Sequence, residues 1–207
     1  MTISFFLPIP SNPLLRLGAI FALGLALMPL AHAETPAKTS ALSNATILLI
    51  RHAEKPEDGP GLSPEGEKRA QIYADYFRGF QIEGKPLKIE HLFAAADSKN
   101  SVRPRLTLEP LSRALKLPLD LRFEADDWKA LADDLHATDH GKCLLICWHH
   151  GPMPELLRAL GANPAKLLED SDWPKEVFNW VIVLRYDAEG RLMPGKSRRI
   201  KEQWAPK

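Results

Sequence analysis

The stretch that most constrains this chain is residues 45 to 56, ATILLIRHAEKP, a short apolar run that empties directly into Arg51, His52 and Glu54. Ala45 to Ile50 is too short for an isolated helix. It is rich in isoleucine and leucine without polar alternation, which is the pattern of a strand buried on both faces, as in a parallel sheet. Arg51 and His52 then stand at its carboxyl end, where open α/β sheets collect their ligands; a guanidinium and an imidazole placed there suit an anion. A strand that has simply reached water reads the same way. The tie is broken further along, because Lys142 to Trp148 is a second compact apolar run, ending in His149, His150 and Gly151. Two buried strands thus deliver histidines to one end of one sheet.

The segment ahead of the first strand reads as an export signal. Residues 1 to 33 carry Arg16 as their one charged side chain, then the apolar run Leu17 to Leu30, then Ala31, His32 and Ala33 in a small-x-small cleavage pattern. The run is shorter than the ~20 residues that span a bilayer, and Pro29 interrupts its end, so no stable membrane insertion is expected after cleavage behind Ala33. Residues 34 to 44 read as a flexible leader and residues 45 to 207 as one domain. The whole chain has 27 basic and 26 acidic side chains, and the signal accounts for one of the basic ones. The remainder is formally neutral and carries no nucleic-acid signature. Cys143 and Cys147 would lie roughly 13 Å apart on one strand at ~3.3 Å per residue, too far for a bridge, so they read as buried free thiols.

Between the two histidine strands the elements alternate. Ser63 and Pro64 open a helix that runs to about Arg78, with Gly79 at its end; Ala70, Tyr73, Ala74 and Phe77 share its inner face, and Lys68, Arg69, Asp75 and Arg78 its outer one. Lys88 to Ala95 reads as a strand and Leu119 to Phe123 as a shorter one. Between them a helix carries Leu106, Leu111 and Leu115, with Pro104 in its first turn and Arg103 at the loop-to-helix junction. By itself Arg103 reads as a solvated arginine. Asp126 to His136 is an amphipathic helix with Trp128, Leu131 and Leu135 inward, and Pro152 to about Leu160 is another. Phe178 to Tyr186 is a buried strand, and Asp187 to Gly190 a turn into a last strand near Ser197 to Gln203. The alternation of Arg198, Ile200 and Glu202 there suits an exposed edge whose charges resist pairing with another chain.

The ordered set RHAEKP, GLSPEGEKRA, RPRLTLEPL and LLICWHHG resembles the histidine phosphatase superfamily, whose fold is phosphoglycerate-mutase-like, over nearly the whole of residues 34 to 207. The resemblance implies a three-layer α/β sandwich, with a mostly parallel central sheet and helices on both faces. It implies a nucleophilic histidine, His52, with Arg51, Arg103 and a late histidine gathered round a phosphate. His150 is taken as that late histidine because the family's commonly stands as His-Gly. Where the family usually has glycine after the first histidine, this chain has Ala53. The proton donor of one branch, an aspartate directly after the late histidine, is replaced by Gly151. The other branch takes a glutamate from a middle loop, and here Glu124, ahead of Asp126 and Asp127, is the candidate.

The chemistry is consistent with those residues. A neutral imidazole can attack phosphorus and split hydrolysis into two easier steps, while guanidinium forks stabilise charge spread over the equatorial oxygens. No metal or other cofactor is expected. His136, His140, His149 and His150 fall close together, but Gly141 breaks any helix at His140 and no cysteine or carboxylate spacing completes a zinc site. The expected activity is an exported phosphomonoesterase acting on a small phosphorylated substrate. Two alternatives are a catalytically silent phosphate- or phosphosugar-binding module and a mutase of phosphorylated glycolytic acids, the latter disfavoured by the export signal. Neither substrate identity nor oligomeric state is legible.

Overall fold

A computed structural model describes residues 40–202. The expected signal, its cleavage point, the leader up to residue 39 and Gln203 lie outside the described residues. The first strand, β1 (Thr46–Arg51), is buried at every position. It pairs in parallel with β6 (Cys143–Trp148), which pairs in parallel with β4 (His91–Ala94), and β4 pairs in parallel with the short β5 (Leu119–Asp120). On its other side β1 pairs antiparallel with β7 (Trp180–Arg185), and β7 antiparallel with β8 (Arg198–Lys201). The sheet order is therefore β5-β4-β6-β1-β7-β8, which puts the two histidine strands side by side near its centre.

Side chains alternate across β1, so its two faces feed two cores. Leu48 and Ile50 pack with Tyr73 and Phe77 of α1 (Pro64–Arg78) and with Leu108 and Leu111 of α2 (Arg103–Leu115). Ile47 and Leu49 pack with Leu131 and Leu135 of α3 (Trp128–Ala137), Leu156 and Leu157 of α4 (Met153–Ala159) and Leu167 of α5 (Pro164–Leu167). A strand buried on both faces needs such an uninterrupted apolar run, and the result is the three-layer α/β sandwich. Ser63 caps α1 by accepting from the Gly66 N–H at 3.2 Å, with Pro64 in the first turn. Cys143 and Cys147 are buried and unbridged.

Several elements depart from the sequence reading. Arg69, assigned to the outer face of α1, is buried, because its guanidinium meets two carboxylates, Glu54 and Glu202. Glu202, assigned to an exposed edge, is buried for the same reason and accepts from the Tyr73 hydroxyl at 3.1 Å. Leu42 to Asn44, assigned to the leader, are part of the domain: Leu42 is buried, the Ser43 hydroxyl donates to Ala188 O at 2.7 Å and the Asn44 N–H to Asp187 O at 2.7 Å. Strand pairing begins at His91, not Lys88, and α3 begins at Trp128, which is only half-buried. A hairpin of β2 (Gln81–Ile82) and β3 (Lys85–Pro86), turned through Glu83 and Gly84 at positive φ, was not foreseen; nor was α5.

Candidate active site

The carboxyl ends of β1 and β6 open onto a cavity of about 990 Å³ lined by Arg51, His52, His149, His150, Arg103 and Phe178, among others. That is at the upper end of ordinary small-molecule sites. Arg51 pairs with Trp148 in the parallel register, so the next residue on each strand, His52 and His149, emerge as neighbours. Their rings meet edge to face with centroids 5.2 Å apart. His150 also lines the cavity, and its Nδ1 is buried with no partner among the described residues.

His52 is nearly fully buried, and its Nδ1 lies 2.7 Å from the Ala53 carbonyl oxygen. A carbonyl can only accept, so Nδ1 carries the proton and Nε2 keeps its lone pair. Burial, reinforced by the charges of Arg51, His149 and Arg103 and opposed by that backbone bond, holds the His52 pKa down to about 3. His149 is lowered to about 4, chiefly by burial and then by Arg103. His150 is also lowered, by burial first and then by Arg51, Lys175 and Lys55. At neutral pH His52 is therefore an uncharged imidazole with one free nitrogen, held among permanent cations.

Arg51 is buried and its guanidinium lies 3.9 Å from the centre of the Phe178 ring. One of its terminal nitrogens donates to the carbonyls of Pro174, Lys175 and Val177 at 3.3, 2.6 and 3.3 Å, while its Nε is buried without a partner among the described residues. Burial lowers its pKa to about 10, which leaves it charged at neutral pH. Arg103, the first residue of α2, donates from Nε to Gly61 O at 3.0 Å and from its fork to Gly59 O at 2.7 Å. Its spacing to Thr107 has a structural reason. The Thr107 hydroxyl donates to Arg103 O at 2.8 Å and accepts the Ala53 N–H at 2.9 Å, tying the first turn of α2 to the residue after His52. Arg105 does not line the cavity and pairs instead with Asp97 and Glu109.

The GLSPEG segment seats α1 against the same loop. The Ser63 N–H donates to Glu54 O at 3.0 Å, and a Cβ on Gly66 would collide with that carbonyl. The Glu54 carboxylate lines the cavity and is bonded to Arg69 by its Nε and one terminal nitrogen, at 2.7 to 2.9 Å. Glu202, which Arg69 also meets, is pushed up to about 7, chiefly by burial.

The structure brings His52, Arg51, Arg103, His149 and His150 together, and leaves Glu124, Asp126 and Asp127 out of the cavity lining. Glu124 is exposed at the approach to α3, where its own backbone N–H donates to the Asp127 carboxylate at 3.0 Å. Sequence reasoning missed residues 174–178. No motif marks them, but β7 runs antiparallel to β1, so the loop that precedes β7 returns to the end of β1. The four late histidines do not converge: His140 packs on His91 at the other end of the sheet and bonds Asp134 at 2.8 Å, and His136 is exposed. Among the described residues no group of three or more histidine, cysteine or carboxylate side chains is arranged to hold a metal ion, and no helix is long and apolar enough to cross a membrane.

No family model and no curated protein matches the sequence. Solved structures do resemble it. One is an Escherichia coli protein provisionally named an alpha-ribazole-5'-P phosphatase, 12% identical, with TM-score 0.52 over 78% of this chain and 98% of that one. Another is an Agrobacterium tumefaciens protein provisionally named phosphohistidine phosphatase SixA, 17% identical, with TM-score 0.49 over 77% of this chain and 99% of that one. A third is a phosphoglycerate mutase from Plasmodium falciparum, 18% identical, with TM-score 0.47 over 73% of this chain and 88% of that one. At 12% identity and TM-score 0.52, the likeness to the first of these shows the fold alone.

Proposed function

We propose that the chain is an exported, metal-independent phosphomonoesterase that works through a phosphohistidine on His52. The observation that carries the reading is the state of that imidazole: Nδ1 bonded to a carbonyl, Nε2 free, and the ring kept neutral among arginines. A nucleophile needs its lone pair and a developing anion needs positive neighbours, and a strand end shared by His52 and Arg51 supplies both. Arg51, Arg103 and the late histidines hold the transferring phosphoryl group, whose charge spreads over three oxygens as the ester bond breaks. The parallel register makes His149 the closer partner of His52, with His150 as a further donor beside it. Glu54 positions the loop through Arg69 and takes no part in proton transfer.

Export rests on the sequence of residues 1 to 33. A solved structure with this fold, at TM-score 0.52, is a phosphatase by its provisional name, which supports the reaction class. The test is hydrolysis by residues 34 to 207, in chelator, of a panel of phosphosugars, nucleotides, inositol phosphates and phosphoproteins. Turnover of at least one ester, unaffected by chelator, is expected. Binding of phosphate esters with no turnover would make the protein a silent binding module, and turnover that chelator abolishes would overturn the metal-free mechanism.

A further inference from the structure

The reaction needs an acid for the leaving oxygen, and four carboxylates line the cavity: Glu54, Glu57, Glu65 and Glu176. Glu54 is engaged by Arg69. Glu65 sits in the first turn of α1, where hydrogen bonds from its own backbone N–H and from the Ser63 hydroxyl favour its ionised form. Glu57 and Glu176 are both exposed, Glu57 in the loop before Gly59. Glu176 is placed differently. The carbonyls of Pro174, Lys175 and Val177, on both sides of it, are bonded to the Arg51 guanidinium, and two residues on Phe178 packs against the same group. A side chain carried by a segment clamped to the phosphate-binding arginine is positioned with the phosphate.

We propose that Glu176 is the general acid and base of the site, an assignment that rests on the phosphomonoesterase reading. As His52 Nε2 bonds to phosphorus, the ester P–O bond breaks with its electron pair on oxygen, and the carboxyl proton of Glu176 moves to that oxygen to release the alcohol. The resulting carboxylate then takes a proton from water as the water oxygen bonds to phosphorus. The N–P bond breaks with its pair returning to Nε2, inorganic phosphate leaves, and Glu176 is again protonated.

The experiment compares two esters, 4-nitrophenyl phosphate, whose phenolate leaves without a proton, and glycerol phosphate, whose alkoxide does not. Glu176→Gln should slow glycerol phosphate turnover by at least about a hundredfold, the usual scale for a lost general acid. With the nitrophenyl ester the same variant should still release a burst of one equivalent of phenolate and then stall with phosphate on His52, because only the second step has lost its base. Equal losses on both esters with no burst, or the same leaving-group pattern from Glu57→Gln instead, would overturn the assignment while leaving the phosphatase reading intact. Failure of the unaltered protein to turn over these two esters and every ester of the panel would overturn the reading itself and this proposal with it.

Discussion

Thr107→Val is the substitution that most sharply isolates how α2 and the histidine loop are joined. Thr107 is fully buried, and its hydroxyl is the acceptor for the equally buried Ala53 N–H at 2.9 Å and the donor to Arg103 O at 2.8 Å. Valine keeps the shape and removes both bonds. The Arg103 carbonyl can still accept from the helical backbone, but the Ala53 N–H is left stranded, which costs about 1–3 kcal/mol. For a domain of this size each kcal/mol moves the midpoint by about 2–4 °C, so a loss of ~2 kcal/mol predicts a Tm lower by roughly 4–8 °C. The residue freed directly follows His52, and a nucleophile displaced from its line of attack loses rate steeply, so kcat should fall about tenfold or more. Thr107→Ser, which restores the hydroxyl, should recover most of both. Thermal unfolding and steady-state hydrolysis read the two effects. A Thr107→Val protein with unchanged Tm and unchanged kcat would refute the idea that this hydroxyl holds the loop.

Arg103→Ala should lower turnover by about a hundredfold, as befits ~3 kcal/mol of transition-state stabilisation, whereas Arg105→Ala should be mild because that side chain is occupied by Asp97 and Glu109; steady-state kinetics giving the reverse ranking would reject the assignment. Stability should depend on the histidines in a defined direction. His52 and His149 are lowered to about 3 and about 4, so between those values and the ordinary 6.5 the unfolded chain binds protons that the folded chain does not. Their contribution is therefore intact above about pH 6.5 and is lost as pH falls towards 3, which urea unfolding at several pH values should register and His52→Ala should flatten. Mass spectrometry of the exported protein should find Glu34 as the first residue; an intact Met1 on a membrane-bound protein would contradict the cleavage.

What was legible beforehand was whatever depends on short-range pattern. The doubly buried strands around Ile47 and Leu145, the Ser63-Pro64 start of α1 and the Arg103 junction each follow from local apolar runs or caps, and the structure has them where the residues indicate. What escaped depends on partners distant in sequence. Arg69 looks solvent-facing in a helical projection, and only the return of β8 with Glu202 makes its burial tolerable. The loop at 174–178 carries no motif, and it reaches the cavity solely because β7 is antiparallel to β1. The choice between His149 and His150 turns on strand register, which one residue of slip would invert and which no single strand's composition specifies. Glu124 was selected from its place in the chain order alone, and it stands outside the cavity lining, exposed, with its backbone N–H bonded to the Asp127 carboxylate.

The most direct test of the account is the site of phosphorylation. Protein mixed with a reactive phosphate ester and quenched in denaturant should carry one acid-labile, base-stable phosphoryl group, and peptide mapping should place it on His52. His52→Ala should abolish both label and turnover, while His149→Ala and His150→Ala should slow labelling without moving it, since each leaves the attacking nitrogen in place. A phosphoryl group found on His149 or His150, or turnover that survives His52→Ala, would contradict the claim that chemistry is centred on the end of β1.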